Sequence, residues 1–239
     1  MSLRSLSFVA AVPFLALFAS GCGSTIYQPS KVAGFDPDGT AEIDDTDVAK
    51  AFAAKPQLGA ENAVAYFSFD PTKSADVERT LRAVPGVTSV YSIPALAVTG
   101  QRRFEDPAAP AAAAAPISLK KLRLLAARAH CDLLVVVDYS HRTDVSANGW
   151  AALDVLLLPA LFVPFRDLDV KSAVDAFVVD TRNGYLYGHV ALDEHAEAKR
   201  KTIYATDDDV VAAQWTNLRQ GLEAALVQVV TAERKASAR

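Results

Sequence analysis

Hydrophobic positions divide the chain into an apolar leader, an unpatterned stretch, and a patterned region over about 61–234. Ala63–Phe69 is a short apolar run closed by Asp70-Pro71, which reads as a strand and a turn. Ser74 is a candidate cap for a helix with Val77, Leu81 and Val84 on one stripe, and Pro85-Gly86 stops it. Val87–Val98 is strand-like, with Pro94 consigning its middle to an edge or bulge. A helix from Ser118 to about His130 carries Leu119, Leu122, Leu125, Ala126 and Ala129 on one face. Leu133–Val137 follows without a polar break, the pattern of a central strand covered on both faces.

Arg182-Asn183-Gly184-Tyr185 lies between two further strand-like runs. Asn-Gly suits a two-residue type I′ turn, which would place Asp180 opposite Tyr187 and Val178 opposite His189. That register puts Phe177, Val179, Leu186, Val190 and Leu192 on the core face. Val178, Tyr187, His189, Asp193 and His195 fall on the other. Thr206 then caps a helix whose first turn holds Asp207, Asp208 and Asp209, favourable for its dipole. Val211, Trp215, Leu218, Leu222, Leu226 and Val229 form the buried stripe of that helix. The expected fold is an α/β (α+β) sandwich. One mixed sheet, with a central apolar strand and an Asn-Gly hairpin, is packed by about three helices. The expected division is a signal peptide over 1–21, a flexible tether over 22–60, one domain over 61–234 and a frayed tail over 235–239.

Composition narrows the function classes. The chain is 51% hydrophobic and 22% charged with net charge −4, so it has no basic excess for phosphates and no nucleic-acid partner is expected. Two cysteines exclude a disulfide scaffold. Residues 106–116, reading DPAAPAAAAAP, are low in complexity and carry no chemistry. His130-Cys131 is a weak nucleophile candidate, because adjacent residues rarely face one another. Ser140, His141 and Asp144 cannot form a local triad, since Ser140 and His141 alternate across a strand. His189 and His195 are separated by roughly 20 Å of strand, too far to share a metal. Asp193 and His195 alone make a poor site. Phosphate-binding glycine loops, zinc-protease and nucleophile-elbow motifs do not occur. No catalytic residue, metal or cofactor is expected.

The leader is more specific. Arg4 precedes an apolar run over 6–19, too short for a span of roughly 20 residues. Phe18-Ala19-Ser20-Gly21-Cys22 resembles the lipobox of bacterial lipoproteins, with Ala19 where leucine is commonest. Small residues suit the peptidase cleft, and the Cys22 thiol accepts the diacylglycerol. Cleavage after Gly21 leaves Cys22 as the acylated N-terminus and removes Arg4, for 23 basic against 28 acidic side chains. The lipoprotein resemblance implies three acyl chains, a firm anchor. Gly23 at the next position, in place of the retaining aspartate of enterobacterial lipoproteins, favours the outer membrane over the inner. About 38 tether residues would span roughly 35 Å and hold the domain off the surface.

Trp150–Phe165, WAALDVLLLPALFVPF, has Asp154 as its only charge. So apolar a connection must be covered, either by the domain's own sheet or by lipid, a partner or a second copy. Trp150, Leu157, Leu161, Phe162 and Phe165 are the candidate interaction surface. Pro159 and Pro164 bracket a bend, which favours internal packing of Leu157 and partial exposure around Phe162–Phe165.

Cys131–Asp138, the apolar connection, Ala173–Asp180 with its hairpin, and the final helix together resemble Gram-negative lipoprotein domains. The region 131–230 is most similar to the rhombotarget lipoprotein family, and more distantly to TolB N-terminal and curli-assembly lipoprotein domains. The resemblance implies a periplasmic α/β domain and supplies no catalytic residues. Rhombotarget proteins end in a processing tail with a transmembrane helix; residues 236–239 read Ala-Ser-Ala-Arg, and processing of that kind is not expected. The expected function is a lipid-anchored, non-catalytic binding or assembly module of the cell envelope. Its partner would be an envelope protein or a second copy. The alternatives are an envelope hydrolase without a recognisable motif, and an oligomeric secretion or assembly accessory using residues 150–165.

Overall fold

The computed structural model describes residues 24–28, 35–36, 45–99, 117–147, 166–201 and 206–237. In chain order these form β1 (Ser24–Gln28), β2 (Phe35–Asp36), α1 (Asp45–Ala53), β3 (Asn62–Ser68) and a 3-10 turn (Pro71–Lys73). Then come α2 (Ser74–Ala83), β4 (Val87–Ser92), α3 (Ala95–Thr99), β5 (Ile117–Ser118) and α4 (Leu119–Arg128). Three long strands, β6 (Leu133–Ala147), β7 (Arg166–Asp180) and β8 (Leu186–Arg200), precede the terminal helix α5 (Asp208–Ser237). The fold is α/β, with one mixed six-stranded sheet in the order β4-β3-β6-β7-β8 and β1 paired to β6. β2 and β5 make a separate parallel pair.

The chain forms two compact units. The larger takes the described residues of 29–140, 172–194 and 215–239, and the smaller those of 1–28, 141–171 and 195–214. The reason lies in strand length. β6, β7 and β8 each run 15 residues, against a usual five or six, and each gives successive segments to the two units.

In the larger unit the apolar run at the start of β6 is central, as its composition predicts. It lies between β3 and β7, parallel to β3 with Val64 opposite Leu133 and Ser68 opposite Val137, and 133–139 are all buried. Leu122 and Ala126 of α4 pack with Ala65, Phe67, Leu134 and Val136 in one cluster. Ser118 caps α4 by accepting the Lys121 N–H. α2 is capped differently from expectation. Asp70, not Ser74, accepts the Thr72 N–H at 2.9 Å and opens the 3-10 turn that leads into α2. β4 is an edge strand and ends at Ser92, after which 95–99 turn helical rather than extending the strand.

The hairpin sits where Asn183-Gly184 marks it, but its turn and faces differ. Gly184 N–H donates to Asp180 C=O and Asp180 N–H to Tyr185 C=O, so Asp180 faces Tyr185 across a four-residue loop. Only Gly184 has a positive φ, 77°, whereas a type I′ turn needs two such residues. The Asp180 carboxylate explains the longer loop: its Oδ1 accepts the N–H groups of Arg182 and Asn183 at 2.8 and 3.3 Å. The faces shift as well. Val178 and Tyr187 are buried, Leu186 is 52% exposed and Phe177 only half-buried. Burial alternation slips by one between Tyr187 and His189, so Tyr187 and Val190 both point inward.

α5 buries Trp215, Leu218, Leu222, Leu226 and Val230. Thr206 is exposed upstream of its start; Asp207 gives the carbonyl that accepts the Val211 N–H. The helix also continues through 235–237, where fraying is expected from sequence. Arg234 holds its last turns by donating to Gly59 and Pro85 carbonyls.

The smaller unit corrects the tether. Ser24–Gln28 is a strand, antiparallel to β6 with Ser24 opposite Val145 and Gln28 opposite His141. Its core is Val145, Leu168 and Val170, with Ala198, Val210 and Val211 packed against them. Within the remainder of the stretch read as tether, 45–53 are helical with no buried residue, and Leu58 is buried in the larger unit.

Candidate functional site

Chemistry-bearing side chains of the larger unit gather at two places. The first is the hairpin loop. Tyr187 Oη donates to Asp180 Oδ2 at 2.7 Å and accepts the Gln57 N–H at 2.9 Å. Burial, then the Asp180 carboxylate, push the Tyr187 phenol well above its usual pKa, so it stays a donor. Arg123 donates to the carbonyls of Thr181 and Arg182, and Asn183 to that of Lys55. Asp132 accepts the Ala63 N–H on one oxygen and Arg182 Nη2 on the other. These bonds hold the loop to the sheet, so the cluster acts as a brace.

The second place went unread in the sequence. Lys73 Nζ lies 5.0 Å from the ring centres of both Tyr139 and Trp215, and the rings meet edge to face with centroids 5.1 Å apart. Trp215 Nε1 donates to Asp76 Oδ2 at 2.8 Å, while Tyr139 Oη lies 3.4 Å from Ser172 Oγ. Two aromatic faces can hold a cation, and the cation they hold is the chain's own ammonium group. The five residues come from the 3-10 turn, α2, β6, β7 and α5, so no local spacing signals them.

This arrangement gives a pH-dependent prediction. The Trp215 N–H, and secondarily Arg79, hold the Asp76 carboxyl below the usual carboxylate range. A depressed folded-state pKa adds stability above the unfolded value, and loses it as pH falls through the folded one. Trp215→Phe should therefore cost about 1 kcal/mol through this bond at pH 7, on top of a pH-independent packing loss. Denaturation midpoints of both proteins at pH 7 and pH 3 check it: the gap between them should narrow in acid. An unchanged gap at pH 3 would show that the bond contributes nothing.

The histidine and cysteine candidates are placed apart from these. His130 is exposed at φ 56°, whereas Cys131 is buried in the core, where burial and Asp132 raise its thiol pKa. Such a thiol is a packing group. His189 Nε2 meets Asp175 Oδ1 at 2.9 Å while its ring stacks on Phe177. In the smaller unit, His195 Nε2 meets Asp169 Oδ1 at 2.8 Å. Asp144, the acid of the Ser140, His141 and Asp144 trio, is gripped by Arg142 and accepts Thr25 Oγ1 at 2.8 Å, so it fastens β1 to β6. Among the described residues, no group of three or more His, Cys, Asp or Glu is placed to hold a metal. None of the described helices is long and apolar enough to cross a membrane. Gly21, Cys22, Trp150, Leu157, Leu161, Phe162 and Phe165 lie outside the described residues.

The molecule is thus an α/β protein built on one mixed sheet, whose described polar clusters brace loops and strands. No family model matches the chain, and no curated protein matches it. Among solved structures it is similar to the hypothetical protein CT253 from Chlamydia trachomatis, with 14% identity over 72% of this chain and 99% of that one, at a TM-score of 0.34. It also matches a nucleoside-triphosphatase / dITP/XTP pyrophosphatase from Mycobacterium abscessus, with 18% identity over 57% of this chain and 73% of that one, at a TM-score of 0.22. Likenesses this slight carry no functional argument.

Proposed function

We propose that the protein is a lipid-anchored lipoprotein of the cell envelope, facing the periplasm, whose folded part is a non-catalytic binding or assembly module. The observation that carries this reading is Phe18-Ala19-Ser20-Gly21-Cys22 at the end of a short apolar run. Gly23 favours the outer membrane. A non-catalytic role is supported by the pairing of Tyr187 with Asp180, His189 with Asp175 and His195 with Asp169, none of which is a nucleophile–base pair. The partner is an envelope protein or a second copy, met through Trp150, Leu157, Leu161, Phe162 and Phe165. Palmitate labelling of the wild type and of Cys22→Ser tests the anchor: label should enter only the wild type, and equal labelling would end the reading. Crosslinking in native envelopes, followed by identification of the adduct, tests the binding role.

A further inference from the structure

We propose that the smaller unit sits directly on the lipid headgroup layer, with the end of the sheet that carries Ser24, Ser146 and Ala147 as the membrane-facing surface. This rests on the lipidation of Cys22 and adds to it where the domain is held. The argument begins with chain length. Cys22 and Ser24 are two residues apart, a reach of at most about 7 Å. Ser24 is already in the sheet, opposite Val145, and the four residues after it are paired as far as His141. The strand is fastened by side chains too: Thr25 Oγ1 donates to Asp144, which Arg142 grips through Nε and Nη2. An acyl chain on Cys22 therefore attaches to the fold itself. Residues 29–61 follow β1 in the chain, so they do not lie between Cys22 and the fold and cannot serve as a spacer to the membrane.

The surface suits a headgroup layer. Ser24 and Ser146 are exposed and small, and Val145 leads back into the core of the unit. The charged side chains of the unit's described residues nearly balance, with six Lys and Arg against seven Asp and Glu over 141–147, 166–171, 195–201 and 206–214. Arg200 is itself paired with Asp209. A balanced surface is neither drawn to nor repelled by phospholipid, so attachment comes from the acyl chains and is insensitive to salt.

Spin labels on the full lipidated chain test this. Cys131 is buried, which leaves a cysteine introduced at exposed Ser146 as the site to label. Lys171 is the reference within the same unit. Its neighbour Ser172 meets Tyr139, whereas Leu168 packs with Val145, so Lys171 is about 15 Å further along the strands than Ser146. In vesicles of phosphatidylethanolamine and phosphatidylglycerol doped with a nickel-chelating lipid, the Ser146→Cys label should broaden several-fold more than the Lys171→Cys label. The difference should survive high salt. A 20-residue Gly/Ser insertion between Gly23 and Ser24 should abolish it while palmitate incorporation stays unchanged. Equal broadening at the two sites in palmitate-labelled protein, or indifference to the insertion, overturns this proposal alone. Absence of palmitate overturns it together with the lipidation reading.

Discussion

Leu134→Ala should lower stability by about 2–5 kcal/mol, and the melting temperature by roughly 5–15 °C. Leu134 is 0% exposed in β6, with β3 and β7 on either side of the strand. It packs with Ala65, Phe67, Leu122 and Val136, so truncation leaves a cavity walled by strands on two sides and a helix above. Close-packed walls of that kind collapse poorly, which places the loss in the upper part of the range. Denaturant unfolding followed by circular dichroism measures it. A loss under 1 kcal/mol would mean that this strand is not the centre of the larger unit's core.

Asp180→Ala should cost about 2–4 kcal/mol. One carboxylate accepts two backbone N–H groups in the loop and the Tyr187 hydroxyl beneath it, and Asp180 is 2% exposed. Removing it strands three donors, of which the phenol is the most deeply placed. Tyr187→Phe should cost less, about 1 kcal/mol, and the double variant less than the two together, because the shared bond is lost only once. Additive losses would show that Asp180 and Tyr187 are not coupled. Alkaline titration adds a second reading. The phenol's pKa is raised on folding, so its contribution is whole below about pH 10, the unfolded value, and fades only as pH rises through the higher folded one. Asp180→Ala should bring the ionisation of Tyr187 down toward the ordinary range.

The two braces also show what a local reading can reach. Asp180 stands three residues before Asn183-Gly184, and an aspartate there competes for the turn's N–H groups. That signal for a longer loop was present in the sequence beside the Asn-Gly signal for a shorter one. Choosing between them takes the third partners, Arg123 and Lys55, which lie 58 and 128 residues away from the loop residues they bond. The cluster of Lys73, Tyr139 and Trp215 has no comparable local sign. A lysine after a turn, a tyrosine in a strand and a tryptophan on a helix stripe are each ordinary until the fold brings them together.

By itself the sequence determined the α/β class, the buried central strand from Leu133, the stripes of α2, α4 and α5, and the position of the hairpin. These follow from periodicity and glycine chemistry, which act over a few residues. Tertiary structure alone decided that Ser24–Gln28 belongs to the sheet, because its partner strand is more than 110 residues away and five polar-flanked residues have no period of their own. It alone decided the hairpin faces, through the loop that Asp180 selects. It also decided the split into two units, since a strand's length says how far it runs and not how many cores it serves.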